Sequence, residues 1–225
     1  MTEYKFQIKW HRIPKLYLIE TEVHRDIIHN VNLYLDNLIL DSERIDNSEN
    51  LVGQIKNGQQ LTLDVENQII LQFVELVKAL GKEYIKRFSS EFNFEDFKQT
   101  KVTLDKIWSV HSYEGDYNPI HDHGTESNTG LSFVCWTKVP ESIQLSPDKI
   151  NLINASGEAD GYLNLIFGDG GFRDKIHLKP PQQQAIKPVE GKLLLFPSWL
   201  LHSVNPFEGE GERRTIAGNL SVWIE

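Results

Sequence analysis

The chain has 225 residues, 40% of them hydrophobic and 24% charged, which is enough to bury one sizeable core and unlike the composition of a disordered segment. Its 32 acidic and 23 basic side chains give a formal charge of -9, which repels phosphate backbones and argues against nucleic acid as a partner. A single cysteine excludes an internal disulfide framework, and the start Met-Thr-Glu-Tyr-Lys lacks the apolar stretch of a secretory signal, so a cytoplasmic setting with no membrane span is expected.

In chain order, Phe6, Ile8 and Trp10 alternate over a segment that predicts an early half-buried strand, interrupted by Pro14. From Glu22 to Leu38 the apolar positions Val23, Ile27, Val31, Leu35 and Leu38 recur at spacings of three and four, predicting an amphipathic helix. His24 and His29 lie beside that face and read as solvated residues. Asp41 to Gln60 reads as a polar loop with room for one short strand. A second helix follows, with Asp64 as its expected N-cap and Ile70, Phe73, Val77, Leu80, Tyr84 and Phe88 on one stripe until a break at Ser89-Ser90.

After Phe97 the texture changes to short apolar or alternating runs bounded by Gly, Pro and Asn, the pattern of an all-β sandwich or barrel. Strands are predicted from Val102 to Tyr113, Leu131 to Val139, Tyr162 to Phe167, Lys192 to Phe196, Leu201 to Asn205 and Arg213 to Ile224. Cys135 falls inside one of these as a small buried hydrophobe. Pro180-Pro181-Gln-Gln-Gln reads as a loop, and the long loop from Glu141 to Gly161 as a candidate lid. The expected class is α+β in one domain, 1–225, with a mixed helical and strand portion at 1–100 and a β portion at 101–225.

The chemistry concentrates in the β portion. His121 and His123 stand two apart, so in an extended segment both side chains share a face, while Asp122 between them points away unless a bulge or turn intervenes. His202 follows the apolar run Leu193-Leu194-Leu195-Phe196 and offers a third ligand. A His-x-His pair alone is a weak signal, but three facial ligands leave open positions for a bidentate co-substrate and dioxygen. Arg213 lies on the next predicted strand with Thr215 on the same face, and its fork suits a planar carboxylate. Arg214 reads as an exposed strand charge.

The pattern Asn-Pro-x-His-x-His at Asn118 to His123, the run Leu131 to Pro140, the block Gly191 to Pro206 containing Phe-Pro-Ser-Trp-Leu-Leu-His, and Arg213-Arg-Thr-Ile-Ala-Gly-Asn219 together resemble the iron(II)- and 2-oxoglutarate-dependent oxygenases. Within them the chain is similar to uncharacterised members common in marine bacteria and their phages, a host cytoplasm being the setting if phage-encoded. The resemblance covers about Ile107 to Glu225. It implies a double-stranded β-helix, or jelly roll, supported by the N-terminal helices, with iron(II) between the two sheets and 2-oxoglutarate as co-substrate. His121 is then the first ligand, His202 the distal one, and Arg213 with Thr215 the pair holding the far carboxylate of 2-oxoglutarate. Most of the superfamily has Asp or Glu where this chain has His123, and Asp122 is the alternative second ligand. Trp136 and Thr137, on the strand after the metal loop, and His111 and Tyr113, on the strand before it, are further candidates for contact with the bound acid, and Asn219 shares the alternation of Arg213. The implied reaction is a dioxygenase reaction with hydroxylation as the default outcome. A small-molecule or protein substrate and dioxygen are its partners, and association with a second copy is left open. Two other readings stand beside it: a cupin-like three-histidine dioxygenase that does without 2-oxoglutarate, and a non-catalytic jelly roll with a binding or structural role.

Overall fold

The computed structural model describes residues 16–50, 58–92, 100–144, 159–168 and 182–224; the strand expected around Phe6 to Trp10 lies outside them. Among the described residues ten strands form two antiparallel sheets. The larger has the order β1 (Ile19–Glu22), β8 (Lys192–Pro197), β5 (Gly130–Lys138), β10 (Arg213–Ile224), β3 (Thr100–Ser112) and β2 (Gln59–Thr62), and the smaller β4 (Asn118–His121), β9 (Leu201–Val204), β6 (Leu163–Ile166) and β7 (Gln183–Ile186). Helices α1 (Arg25–Leu40) and α2 (Leu71–Phe92) cover the outer face of the larger sheet. This is an α+β chain with a double-stranded β-helix at its core. All six predicted strands are present, with ends shifted by at most two residues.

Two hydrophobic clusters explain why the central strands carry apolar residues on both faces. On β8, Leu193 and Leu195 join the cluster with the helices, while Leu194 and Phe196 join the cluster between the sheets. The unbroken run Leu193 to Phe196 is thus a period-two strand with both sides buried. The helix stripes meet the same sheet: Ile28, Val31, Tyr34 and Leu35 from α1, and Phe73, Val74, Val77, Tyr84 and Ile85 from α2. Gly81 lets α2 approach closely, since a Cβ there would stand 3.0 Å from Val102 Cγ1 and 3.1 Å from Leu220 Cδ1.

Several local expectations are corrected. Asp64 does not cap α2; its Oδ1 accepts from Glu66 N–H in a turn of its own, and the helix begins seven residues later at Leu71. Ser89-Ser90 does not end the helix, because Ser89 Oγ–H donates to Ile85 O, one turn back, and the helix runs on to Phe92. Gln183 and Gln184 are not loop but the start of β7, whose edge position lets polar side chains face outward. His24 is exposed, as expected, and caps α1 by accepting from Asp26 N–H. The segment expected as a lid begins with the helical turn α3 (Glu141–Gln144) and ends at Gly161; 145–158 lie outside the described residues. No described helix is long and apolar enough to cross a membrane.

Phe73 is fully buried and packs on Phe133, ring centroids 6.0 Å apart, across the helix–sheet interface. Phe73→Ala is expected to lower the unfolding free energy by about 3–5 kcal/mol, measured as a drop in the urea midpoint at unchanged slope.

Candidate active site

Two of the connections between the sheets, from β4 to β5 and from β8 to β9, lie side by side, and the histidines sit at these crossings. His121 ends β4 and is the cross-strand partner of His202 on β9. His123 lies just beyond, its backbone N–H donating to Ser198 O at 3.0 Å. The ligating atoms of His121, His123 and His202 all fall within 4.8 Å of one another. Asp122 is exposed and outside that group, consistent with alternation along an extended segment.

The run Phe196-Pro-Ser-Trp-Leu-Leu-His202 makes this geometry. Phe196 packs edge-on against His202, with centroids 5.3 Å apart. Pro197 ends β8, and the turn closes with Leu200 N–H donating to Pro197 O. Ser198 holds the corner, its N–H donating to Gly130 O while its carbonyl accepts from His123. Leu200 O then receives the Nδ1–H of His202 at 2.8 Å, as Pro119 O receives that of His121 at 2.7 Å. Both rings are fixed in the tautomer that leaves Nε2 as an acceptor. Asn118 Nδ2 stands 3.4 Å from His121 Nε2, a long contact, and Asn118 Oδ1 is buried with no partner.

Burial, with the charge of His121 adding to it, pulls His123 down to about 4 and His202 to about 3. Both are therefore neutral imidazoles at ordinary pH, the form that ligates a metal. Three converging imidazole nitrogens, two of them pre-oriented by backbone carbonyls, suit a divalent transition metal.

The cluster opens on a cavity of about 920 Å³ that Arg213, Thr215, Ala217 and Asn219 line from one face of β10, and Val134 and Trp136 from β5. Arg213 is buried; its Nη1 donates to Gly161 O (3.1 Å) and Asn205 O (3.0 Å), and the guanidinium sits 5.5 Å from the centre of the Phe207 ring. Burial lowers its pKa to about 10 against the opposing charge of Asp116. A buried fork at the cavity wall, with a threonine hydroxyl two residues on, can receive a carboxylate.

Other candidates are placed elsewhere. His111 does not line the cavity: it faces the opposite side of β3 from Trp108, Val110 and Ser112, with Nδ1 2.6 Å from Glu212 Oε1 and Nε2 2.9 Å from Ser109 Oγ. Tyr113 is exposed and Thr137 is fully buried, and neither lines the cavity. Arg214 is not an exposed charge; it is 2% exposed, bidentate to Glu212 at 2.7 and 2.9 Å and 2.8 Å from Asp36 of α1. A helix laid across that face turned a surface arginine into a buried clamp. Trp108, whose ring stands 5.6 Å from His123, had no role assigned from sequence, since one aromatic in a strand carries no positional signal.

A family model described as "Putative 2OG-Fe(II) oxygenase" matches residues 106–219, while no curated protein sequence matches the chain. Among solved structures, the chain is similar to a Pseudomonas putida prolyl-4-hydroxylase, at 14% identity and a TM-score of 0.55 over 91% of this chain and 92% of that one. It is similar also to HygX from Streptomyces hygroscopicus, with nickel and 2-oxoglutarate bound, at 10% identity and 0.53 over 92% and 83%. The 2-oxoglutarate-dependent epimerase SnoN of nogalamycin biosynthesis matches at 9% identity and 0.60 over 92% and 78%. At these identities the likeness is one of fold.

Burial alone would raise the Glu212 carboxyl, but hydrogen bonds from His111 and Arg214, with the Arg214 charge, hold it at about 2, below its ordinary 4.5. A folded-state pKa below the unfolded value adds stability above about 4.5 that is lost as pH falls toward 2. In urea unfolding across that window, wild-type stability should fall more steeply with acid than that of Glu212→Gln.

Proposed function

The chain belongs to the 2OG-Fe(II) oxygenase family, and we propose that it is a 2-oxoglutarate-dependent iron(II) dioxygenase that hydroxylates its substrate. The observation that carries this reading is the convergence of three histidine donors within 4.8 Å in a cavity whose wall also presents Arg213 and Thr215. We read the whole chain as one oxygenase unit, α1 and α2 bracing the sheet that carries Arg213.

In this proposal His121, His123 and His202 hold the iron, with His123 rather than Asp122 as second ligand. Arg213 and Thr215 receive the far carboxylate of 2-oxoglutarate. When bound, iron and 2-oxoglutarate supply the oxidising chemistry, coupling decarboxylation to succinate with oxidation of a substrate C–H bond. The residues of the chain orient and insulate. The backbone carbonyls of Pro119 and Leu200 aim two imidazoles, and those of Gly161 and Asn205 fix the guanidinium before any ligand arrives, so little ordering is left to the bound state. Val134, Trp136, Leu163 and Phe196 give the cavity apolar walls, which exclude water and strengthen the Arg213 contact.

Anaerobic addition of iron(II) and 2-oxoglutarate should produce the weak visible charge-transfer band of a chelated keto acid; folded, iron-loaded protein without the band would refute the proposal. His123→Ala should greatly weaken metal binding and Asp122→Ala should not; the reverse result would make Asp122 the ligand. Arg213→Ala should raise the dissociation constant for 2-oxoglutarate about thirtyfold or more, the equivalent of about 2 kcal/mol. An unchanged constant would favour metal chemistry without the keto acid.

A further inference from the structure

The cavity is long and its two ends differ. Along the β10–β3 ladder Arg213 faces Ser112 and Asn219 faces Lys106, with Ala217 opposite Trp108 between them. Six residues of strand span about 20 Å, and Trp108 is the residue whose ring stands against His123. The histidine cluster therefore lies between an Arg213 end, suited to the keto acid, and a second end where Asp105, Asn219, Gly124, Leu63 and Val65 line the wall.

A β-bulge delivers Asp105 to that second end. The register passes from Asn219 opposite Lys106 to Leu220 opposite Leu104, so Asp105 is the unpaired extra residue. On one side of the bulge Trp108, Val110 and Ser112 face the cavity and Ile107 the helices; on the other Val102 and Leu104 face the helices. The extra residue reverses the alternation and turns Asp105 inward, as bulges beside functional sites do.

The carboxylate is then half satisfied. Oδ2 accepts from Ser221 Oγ–H at 2.5 Å and Glu126 N–H at 3.0 Å, whereas Oδ1 is buried with no hydrogen-bond partner. Holding one oxygen with two donors while burying the other without a partner, on a residue that lines the cavity, is costly unless a donor entering from the cavity completes it. Asn118 Oδ1 is a second buried acceptor without a partner on the same cavity. Both missing partners are hydrogen-bond donors. Among the described residues, the charges lining this cavity besides Arg213 and the histidines are Asp105, the exposed Asp122 and the exposed Lys106. A neutral donor would satisfy Oδ1 but leave its charge unmatched; a cation does both.

We infer that Asp105 is the substrate-recognition residue and that the substrate presents it with an ammonium or guanidinium group, an inference that rests on the oxygenase reading above. The probes are N-acetyl-lysine amide and N-acetyl-arginine amide, each beside its neutral counterpart, N-acetyl-norleucine amide and N-acetyl-citrulline amide. Binding is measured by calorimetry on the protein alone and on protein loaded with iron(II) and 2-oxoglutarate under nitrogen; succinate release is followed in air. Cationic probes should bind wild-type protein at least tenfold more tightly than their counterparts and release succinate faster. Asp105→Asn should abolish the preference and Asp105→Glu should keep it. No preference in wild-type protein, which needs no variant to fold, overturns the inference, as does a full preference in Asp105→Asn of wild-type circular dichroism. A preference lost in Asp105→Asn, together with no chelate band and no succinate, would uphold Asp105 as the recognition residue and remove the oxygenase reading.

Discussion

Strand β10 is hydrogen-bonded along both edges, to β3 and to β5, and covered on both faces, so its pleat divides its residues between two environments. Arg213, Thr215, Ala217 and Asn219 enter the cavity; Ile216, Leu220 and Val222 enter the core beneath the helices. The strand could not slip by one residue without exchanging the two sets, which would bury the cavity-lining face in hydrocarbon and strip the helices of their sheet contacts. Helix α1 closes over the same strand from outside, where Asp36 and Asn32 meet Arg214. Two consecutive arginines thus serve opposite faces, one open to the cavity and one clamped by Glu212 and the helix.

The histidine cluster depends on that central sheet through the corners. Pro197 ends β8 opposite Leu131 of β5, and the next residue, Ser198, links both crossings by one backbone hydrogen bond donated to Gly130 O and one accepted from His123 N–H. The metal-type side chains therefore stand on backbone fixed by the sheet. Their convergence costs little extra ordering at the site.

The sequence made the long, doubly buried strands legible because each carries its own period: Leu193 to Phe196 and Arg213 to Ile224 could be read without knowing their partners. It also placed Arg213, Thr215 and Asn219 on one face by simple alternation, and the resemblance supplied roles for the histidines. The four-residue strands β1, β4 and β7 were not legible, since their stability comes from the neighbours they pair with and not from their composition. Arg214 and His111 were misjudged for a related reason. Whether a strand residue faces solvent, cavity or helix depends on what the topology lays over it, and α1 lies some 180 positions away from β10 in the chain. Asp105 was invisible because a bulge reverses alternation at one residue, and only the register of β3 against β10 reveals it.

The charge of the proposed donor set follows from these placements. Three imidazoles bring no negative charge to offset a dication, and the nearby carboxylates do not supply it: Asp122 is exposed and outside the donor group, and Asp105 belongs to the far half of the cavity. In the proposed reading, charge compensation falls to the dianionic co-substrate, one end of which Arg213 would receive. A site of this kind holds metal and keto acid as a mutually reinforcing pair, because each supplies charge the other lacks, and linkage requires that whatever one gains in affinity from its partner the other gains equally. On the proposed ligand set, His123 stands where most of the superfamily carries Asp or Glu, and the metal site would then draw part of its electrostatic stabilisation from the ligand rather than from the protein.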